Sequence, residues 1–188
     1  MQSAQHNPPT VAIVLSTYNG EAYIAQQLDS LIAQTYPHWH CYIRDDGSKD
    51  SSVAIIKSYV TKDARFTYLE DQLGNLGVVQ AYFYLFNKVD EDYIAPCDQD
   101  DVWRADKLER SLNLLITIET EKKIPALVHT DSDFVDSQLN SIREKFIGKR
   151  GLKKGLNGII IANSVQGGSI LFNRALNNES KKISAQLP

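Results

Sequence analysis

Short apolar runs alternate along this chain with longer stripes of helical period, and that alternation restricts it to a βα repeat on a mostly parallel sheet. Val11–Ser16 is a buried-strand run. Ile24, Leu28, Leu31 and Ile32 then recur at i, i+4, i+7 and i+8, which predicts a helix ending before Pro37. Trp39–Arg44 reads as the second strand, Asp45–Asp50 as a turn, and Ser51–Val60 as a helix capped by Ser48 or Asp50. The unit repeats with a strand at Phe66–Glu70, a loop at Gly74–Gly77 and a helical stripe of Val78, Tyr82, Leu85, Phe86 and Val89. It repeats again with Asp92–Cys97 and the stripe Leu108, Leu112, Leu115 and Ile116. Beyond Pro125 the reading is strand for Ala126–Thr130, a Gly- and Lys-rich loop for Gly148–Gly158, strand for Gln166–Asn173, and a polar segment after Asn177.

A chain of 188 residues is enough for one domain with a real core, here taken as residues 10–188 behind a disordered polar tail of residues 1–9. The net charge of −3 gives no general attraction to nucleic acid or to an anionic membrane. The basic cluster Lys145, Lys149, Arg150, Lys153 and Lys154 reads as a solvated loop. Cys41 and Cys97 lie in apolar strand runs, which marks them as small buried hydrophobes and suits a reducing compartment. The tail has the features of neither a signal peptide nor an anchor, and no run approaches the ~20 apolar residues of a membrane span. A cytoplasmic location is expected, with the inner membrane face as a second station of the full-length protein.

In an open parallel sheet, ligands gather at the carboxyl ends of the strands, where helix N-termini also collect. Polar residues concentrate at those ends here. Asp98, Gln99, Asp100 and Asp101 follow the fourth strand, and three carboxylates within four residues repel one another unless solvent, a raised pKa or a cation relieves them. Mg²⁺ or Mn²⁺ takes one or two carboxylates and completes its shell with phosphate and water oxygens, which suits a nucleoside diphosphate. Asp98 and Asp101 equally suit a plain turn and helix cap. Asp45, Asp46, Gly47 and Ser48 form an acidic turn after the second strand. A carboxylate there would accept the N3 hydrogen of uracil or thymine, and Tyr18 after the first strand offers a ring face for stacking.

Taken together, Ser16-Thr17-Tyr18-Asn19, Asp45-Asp46-Gly47-Ser48, Asn75-Leu76-Gly77 and Asp98-Gln99-Asp100-Asp101 resemble the loops of the family 2 glycosyltransferases, from about Val11 to Phe172. Asp-Gln-Asp-Asp-Val-Trp and Asn-Leu-Gly are most similar to bacterial rhamnosyltransferase-type members. The resemblance implies a Rossmann-like GT-A α/β fold with a mostly parallel central sheet flanked by helices. It implies hexosyl transfer, with inversion, from a UDP- or dTDP-sugar to a glycan or lipid-linked glycan acceptor in cell-surface polysaccharide synthesis. Thr17, Tyr18, Asn19, Asp45, Asp46, Asn75, Gly77 and Asp98 would hold the nucleotide. Asp100 would be the chief ligand of Mn²⁺ or Mg²⁺ in a D-x-D motif, with Asp98 in the metal shell. Asp101, Trp103, Lys107, Asp131, Gln166 and Gly167 would line the donor-sugar or acceptor side.

The sequence departs from the family pattern at the general base, a carboxylate that follows the Gln166–Phe172 region in other members. Glu179 in the polar tail is the only acid there, and Asp131 and Asp133 are the substitutes on offer. The expectation is therefore a domain truncated at its C-terminal end, able to bind donor but poorly active. Three readings compete. A receiver-like Mg²⁺-binding domain needs a lysine on a late strand, and the late strand runs have none. A nucleotidyltransferase needs a Gly-rich basic first loop, also missing. A non-catalytic nucleotide-sugar sensor would share every motif above.

Overall fold

The structure, a computed structural model, describes residues 7–119, 124–143 and 165–184. The Gly148–Gly158 loop, the basic cluster from Lys145 to Lys154 and the first six residues of the tail lie outside the described residues. Four βα units open the chain: β1 (Val11–Thr17) with α1 (Ile24–Ile32), β2 (Trp39–Asp45) with α2 (Ser52–Lys62), β3 (Phe66–Tyr68) with α3 (Gly77–Lys88), and β4 (Tyr93–Cys97) with α4 (Lys107–Ile118). There follow β5 (Leu127–His129), the short hairpin β6 (Phe134–Val135) and β7 (Ser141–Arg143), a 3₁₀ turn at Gly167–Ser169, β8 (Ile170–Asn173) and α5 (Arg174–Ser184).

The six-stranded sheet runs β3-β2-β1-β4-β8-β5. β1 lies between β2 and β4, both parallel to it, with Val11 in register with Trp39 on one side and Tyr93 on the other. β8 is antiparallel to both β4 and β5 and wedges between them. The first five residues of β1 are fully buried because the sheet is covered on both faces. Alternation sorts them: Val11, Ile13 and Leu15 pack with Leu28 of α1, Ile56 of α2 and Leu112 of α4, whereas Ala12 and Val14 pack with Leu85 of α3.

Several expectations need correction. Ile32, Val78 and Ile116 fit the helical stripes but are 40%, 66% and 46% exposed, so each buried face is narrower than the periodicity implies. Asp50, rather than Ser48, receives the Ser52 N–H at the start of α2, and Ser48 instead accepts the Asn19 N–H. Gln166–Ser169 is a loop and 3₁₀ turn leading into β8, not part of a strand.

The segment read as a polar tail is the helix α5. Its Asn177 is fully buried and donates to the carbonyl of Phe86, near the C-terminus of α3, where no intrahelical partner exists. Lys181 adds a bond to the Val89 carbonyl. Asn177→Ala leaves that carbonyl without its donor and is expected to cost about 1 to 3 kcal/mol in urea unfolding, with the slope of the transition unchanged.

Candidate functional site

The carboxyl ends of β1, β2 and β4 lie side by side in the sheet, so their loops meet by topology. The β1 loop is laced to the β2 loop. Asn19 accepts the Lys49 N–H, the Gly20 N–H goes to Ser52 Oγ, and Glu21 and Asp50 exchange bonds with each other's segments. Tyr18 stands out of this lacing, 48% exposed.

The two aspartates after β2 do different things. Asp46 is buried and fully engaged: its carboxylate pairs with Arg44 and accepts the Leu76 and Gly77 N–H groups at 2.7 and 2.8 Å. Those amides open α3, so a carboxylate sits on the positive end of that helix. Asn75 adds a bond from its side chain to the Asp46 carbonyl. Asp45 accepts the Gly47 and Ser48 N–H groups through Oδ2 alone, while its Oδ1 is buried without a partner among the described residues. A buried carboxylate oxygen without a partner leaves bonding capacity unfilled at this strand end.

The acidic loop after β4 meets the turn before β8. A Cβ on Gly168 would lie 2.6 Å from Asp98 Oδ2 and 2.7 Å from Asp101 Oδ2, so two carboxylate oxygens converge on one point beside that glycine. Asp98 also accepts the Tyr82 hydroxyl through Oδ1. Asp101 keeps an exposed edge, but burial by the surrounding walls and then the charges of Asp98 and Asp100 push its carboxyl up to about 6, against the pull of Lys107. Lys107, in the first turn of α4, donates to the Gly168 carbonyl at 2.8 Å and lies 3.7 Å from the centre of the Trp103 ring. Burial pulls its ammonium down to about 8 although Cys97, Asp101 and Asp98 oppose the shift.

A cleft of about 730 Å³ opens from this loop toward β5 and the β6–β7 hairpin. Asp100, Asp101, Trp103, Lys107, Asp131 and Asp133 all line it. So does His129, whose Nδ1 is buried without a partner among the described residues, as is Trp103 Nε1. Among the described residues no three His, Cys, Asp or Glu side chains form a set that could hold a metal ion unaided. The convergence of Asp98 and Asp101 instead fits an ion held by one or two carboxylates together with ligand and water oxygens.

The structure thus brings the residues singled out in the sequence into two adjoining groups. Thr17, Tyr18, Asn19, Asp45, Asp46, Asn75 and Gly77 surround the ends of β1 and β2, and Asp98, Asp100, Asp101, Trp103 and Lys107 meet Gly168 or the cleft. Gln166 accepts the Ser132 hydroxyl at the cleft rim, with Gly167 next to it in the turn. Glu179 is on α5 and pairs with Lys182 at the surface. Sequence reading missed Arg44, Gln99 and the buried polar side chains of α1 and of the segment just after it. There Ser30 Oγ accepts the Trp103 N–H, and Gln34 bridges the Arg104 carbonyl and the Leu108 N–H. Arg44 was hidden as one residue of a strand, and polar residues on a helix read as its solvent face.

Comparison with known proteins adds an independent line. The family model "Glycosyl transferase family 2" matches residues 12–178. A Bacillus subtilis protein named as a teichuronic acid biosynthesis glycosyltransferase, TuaG, is 34% identical over 110 residues, covering 57% of this chain and 42% of its own. The Shigella flexneri dTDP-rhamnosyl transferase RfbG is 32% identical over 106 residues, covering 54% of this chain and 37% of its own. The chain therefore spans less than half the length of these relatives. Among solved structures, a mannosyltransferase from Pyrobaculum calidifontis, in complex with GDP-Man and Mn²⁺, superposes with a TM-score of 0.62 at 17% identity, covering 92% of this chain and 47% of its own. That likeness establishes a shared fold.

Proposed function

Because this chain belongs to glycosyl transferase family 2, we propose that it carries the donor site of an enzyme moving a sugar, with inversion, from a nucleoside diphosphate to an acceptor hydroxyl in bacterial cell-surface polysaccharide synthesis. The observation that carries this reading is the adjacency of an orphan acceptor at Asp45 Oδ1, an exposed ring at Tyr18, and the acidic group beside Gly168. Base, ribose and diphosphate are recognised in that order from β2 to β4. With Asp46 committed to Arg44 and α3, Asp45 is the carboxylate that receives the base N–H. UDP and dTDP offer that hydrogen at N3, and the relative named as a dTDP-rhamnosyl transferase supports such a donor.

Asp98, Asp100 and Asp101 are the carboxylates for a Mn²⁺ or Mg²⁺ ion, used one or two at a time. The ion would supply stabilisation of the charge that builds on the departing diphosphate. Lys107, held on Trp103 and Gly168, orients the turn that faces these acids. Asp131 and Asp133 face the cleft in which an acceptor sugar fits, and they are the groups placed to orient its hydroxyl and take its proton. Among the described residues no helix is long and apolar enough to cross a membrane.

Calorimetric titration with UDP, dTDP and GDP, in Mn²⁺ and in EDTA, tests the proposal. One nucleotide is expected to bind in a metal-dependent manner, and Asp100→Ala is expected to weaken it at least ~10-fold, the equivalent of one lost charge-assisted contact. A folded protein that binds none of the three would overturn the reading.

A further inference from the structure

Gln99 sits between two of the carboxylates assigned to the cation, yet its side chain is bound at the end of β1. Its Oε1 accepts the Thr17 hydroxyl at 2.5 Å and the Tyr18 N–H at 2.9 Å, and its Nε2 donates to the Tyr18 carbonyl at 3.3 Å. One side-chain amide thus satisfies both backbone groups of Tyr18, much as a neighbouring strand would. Thr17 is 1% exposed, and its hydroxyl proton is committed to this amide.

Gly20 supplies a second, independent sign. Its backbone does not adopt a positive φ, so no conformational demand explains the missing side chain. A Cβ there would overlap Gln99 Oε1 and lie 2.7 Å from Thr17 Oγ1. The glycine keeps open the space that the Gln99 amide fills. On its other side the same loop is tied to the β2–α2 segment through Asn19, Gly20 and Glu21, which leaves the Tyr18 ring as its projecting part.

We infer that Gln99 is a positioning residue: it clamps the backbone of Tyr18 to the acidic loop, so that the base end and the diphosphate end of a bound nucleotide are held in one rigid frame. The inference rests on the nucleotide reading above. Such a frame lowers the ordering cost of binding, and its loss is felt by ligands that reach both ends. It does not touch a ligand that engages the acidic loop alone.

That difference is the test. UDP or dTDP, whichever the wild type binds more tightly, and inorganic pyrophosphate are titrated in Mn²⁺ against the wild type, Gln99→Leu and Gly20→Ala, with thermal unfolding recorded for each. Gln99→Leu removes all three bonds, and Gly20→Ala displaces the amide from a separate position. The clamp requires both variants to weaken the nucleotide by about tenfold, with pyrophosphate unchanged. Equal weakening of nucleotide and pyrophosphate would overturn it, because Gln99 would then only support the acidic loop. Unchanged nucleotide affinity in Gln99→Leu would overturn it as well. A wild type that binds pyrophosphate with Mn²⁺ but no nucleotide would overturn the base-site reading and the clamp with it, and one that binds neither would overturn the assignment of the whole site.

Discussion

Arg44→Met is expected to lower the free energy of unfolding by about 3 to 5 kcal/mol, seen as a shift of the urea midpoint at unchanged slope. The Arg44 side chain has no solvent exposure, and its guanidinium is held by Asp46, by Asp71 at 2.8 Å and by the Gly74 carbonyl at 2.7 Å, beside the Tyr84 ring. Removing it leaves the buried Asp46 and the nearly buried Asp71 without their cation, and an uncompensated buried charge costs more than the ion pair itself contributes. Replacing the acids by apolar residues as well would not restore stability, because Asp46 also binds the first amides of α3.

The acid side of the same network has a definite sign. Burial raises the Asp71 carboxyl, but the Leu73 N–H and Arg44 outweigh it and hold the group below the ordinary carboxylate range. A carboxyl depressed on folding contributes stability that is present above its unfolded pKa of about 3.9 and is lost as pH falls through the folded value. Wild-type unfolding free energy should therefore decline below about pH 4, and Arg44→Met should flatten that decline. Asp46 and Asp71 fix the loop that carries Asn75, so the variant should also bind nucleotide less tightly in the pH range where both proteins are folded.

The sheet and four of its helices were legible in the sequence because a strand buried on both faces must be a continuous apolar run. Val11–Leu15 has no other way to be stable. The acidic and glycine-bearing loops were legible for the complementary reason that nothing in a core explains them. What escaped notice is held by polar contacts between segments distant in sequence. α5 has few apolar residues and is placed by buried Asn177 on α3. Gln34 bonds backbone groups about seventy residues away, and Gln99 does so across about eighty. Hydrophobic periodicity carries no record of such bonds, since Gln on a helix or in a loop reads as solvent-facing until its partner is known. Gly20 and Gly168 mark such contacts once the backbone is known: each lacks a side chain without needing a positive φ, and another residue's polar atoms fill the space.

Gly168→Ala is accordingly expected to cut sugar transfer by about 100-fold, the effect of displacing reacting groups by an ångström. The added methyl would lie 2.6 and 2.7 Å from the oxygens of Asp98 and Asp101, closer than carbon and oxygen can approach, so the carboxylates or the turn must move. Movement of the turn also breaks the bond from Lys107 to the Gly168 carbonyl, and overpacking of this kind costs about 1 to 3 kcal/mol in stability. The two consequences separate in the double variant Gly168→Ala, Asp101→Ala. Removing the Asp101 carboxylate relieves one of the two overlaps, leaves the one with Asp98, and should recover part of the lost stability in thermal unfolding. Transfer should stay low, because the pair of oxygens that converged on this point is no longer there. Recovery of transfer together with stability would show that Asp101 has no part in holding the reacting diphosphate, and would leave Asp98 and Asp100 to do so alone.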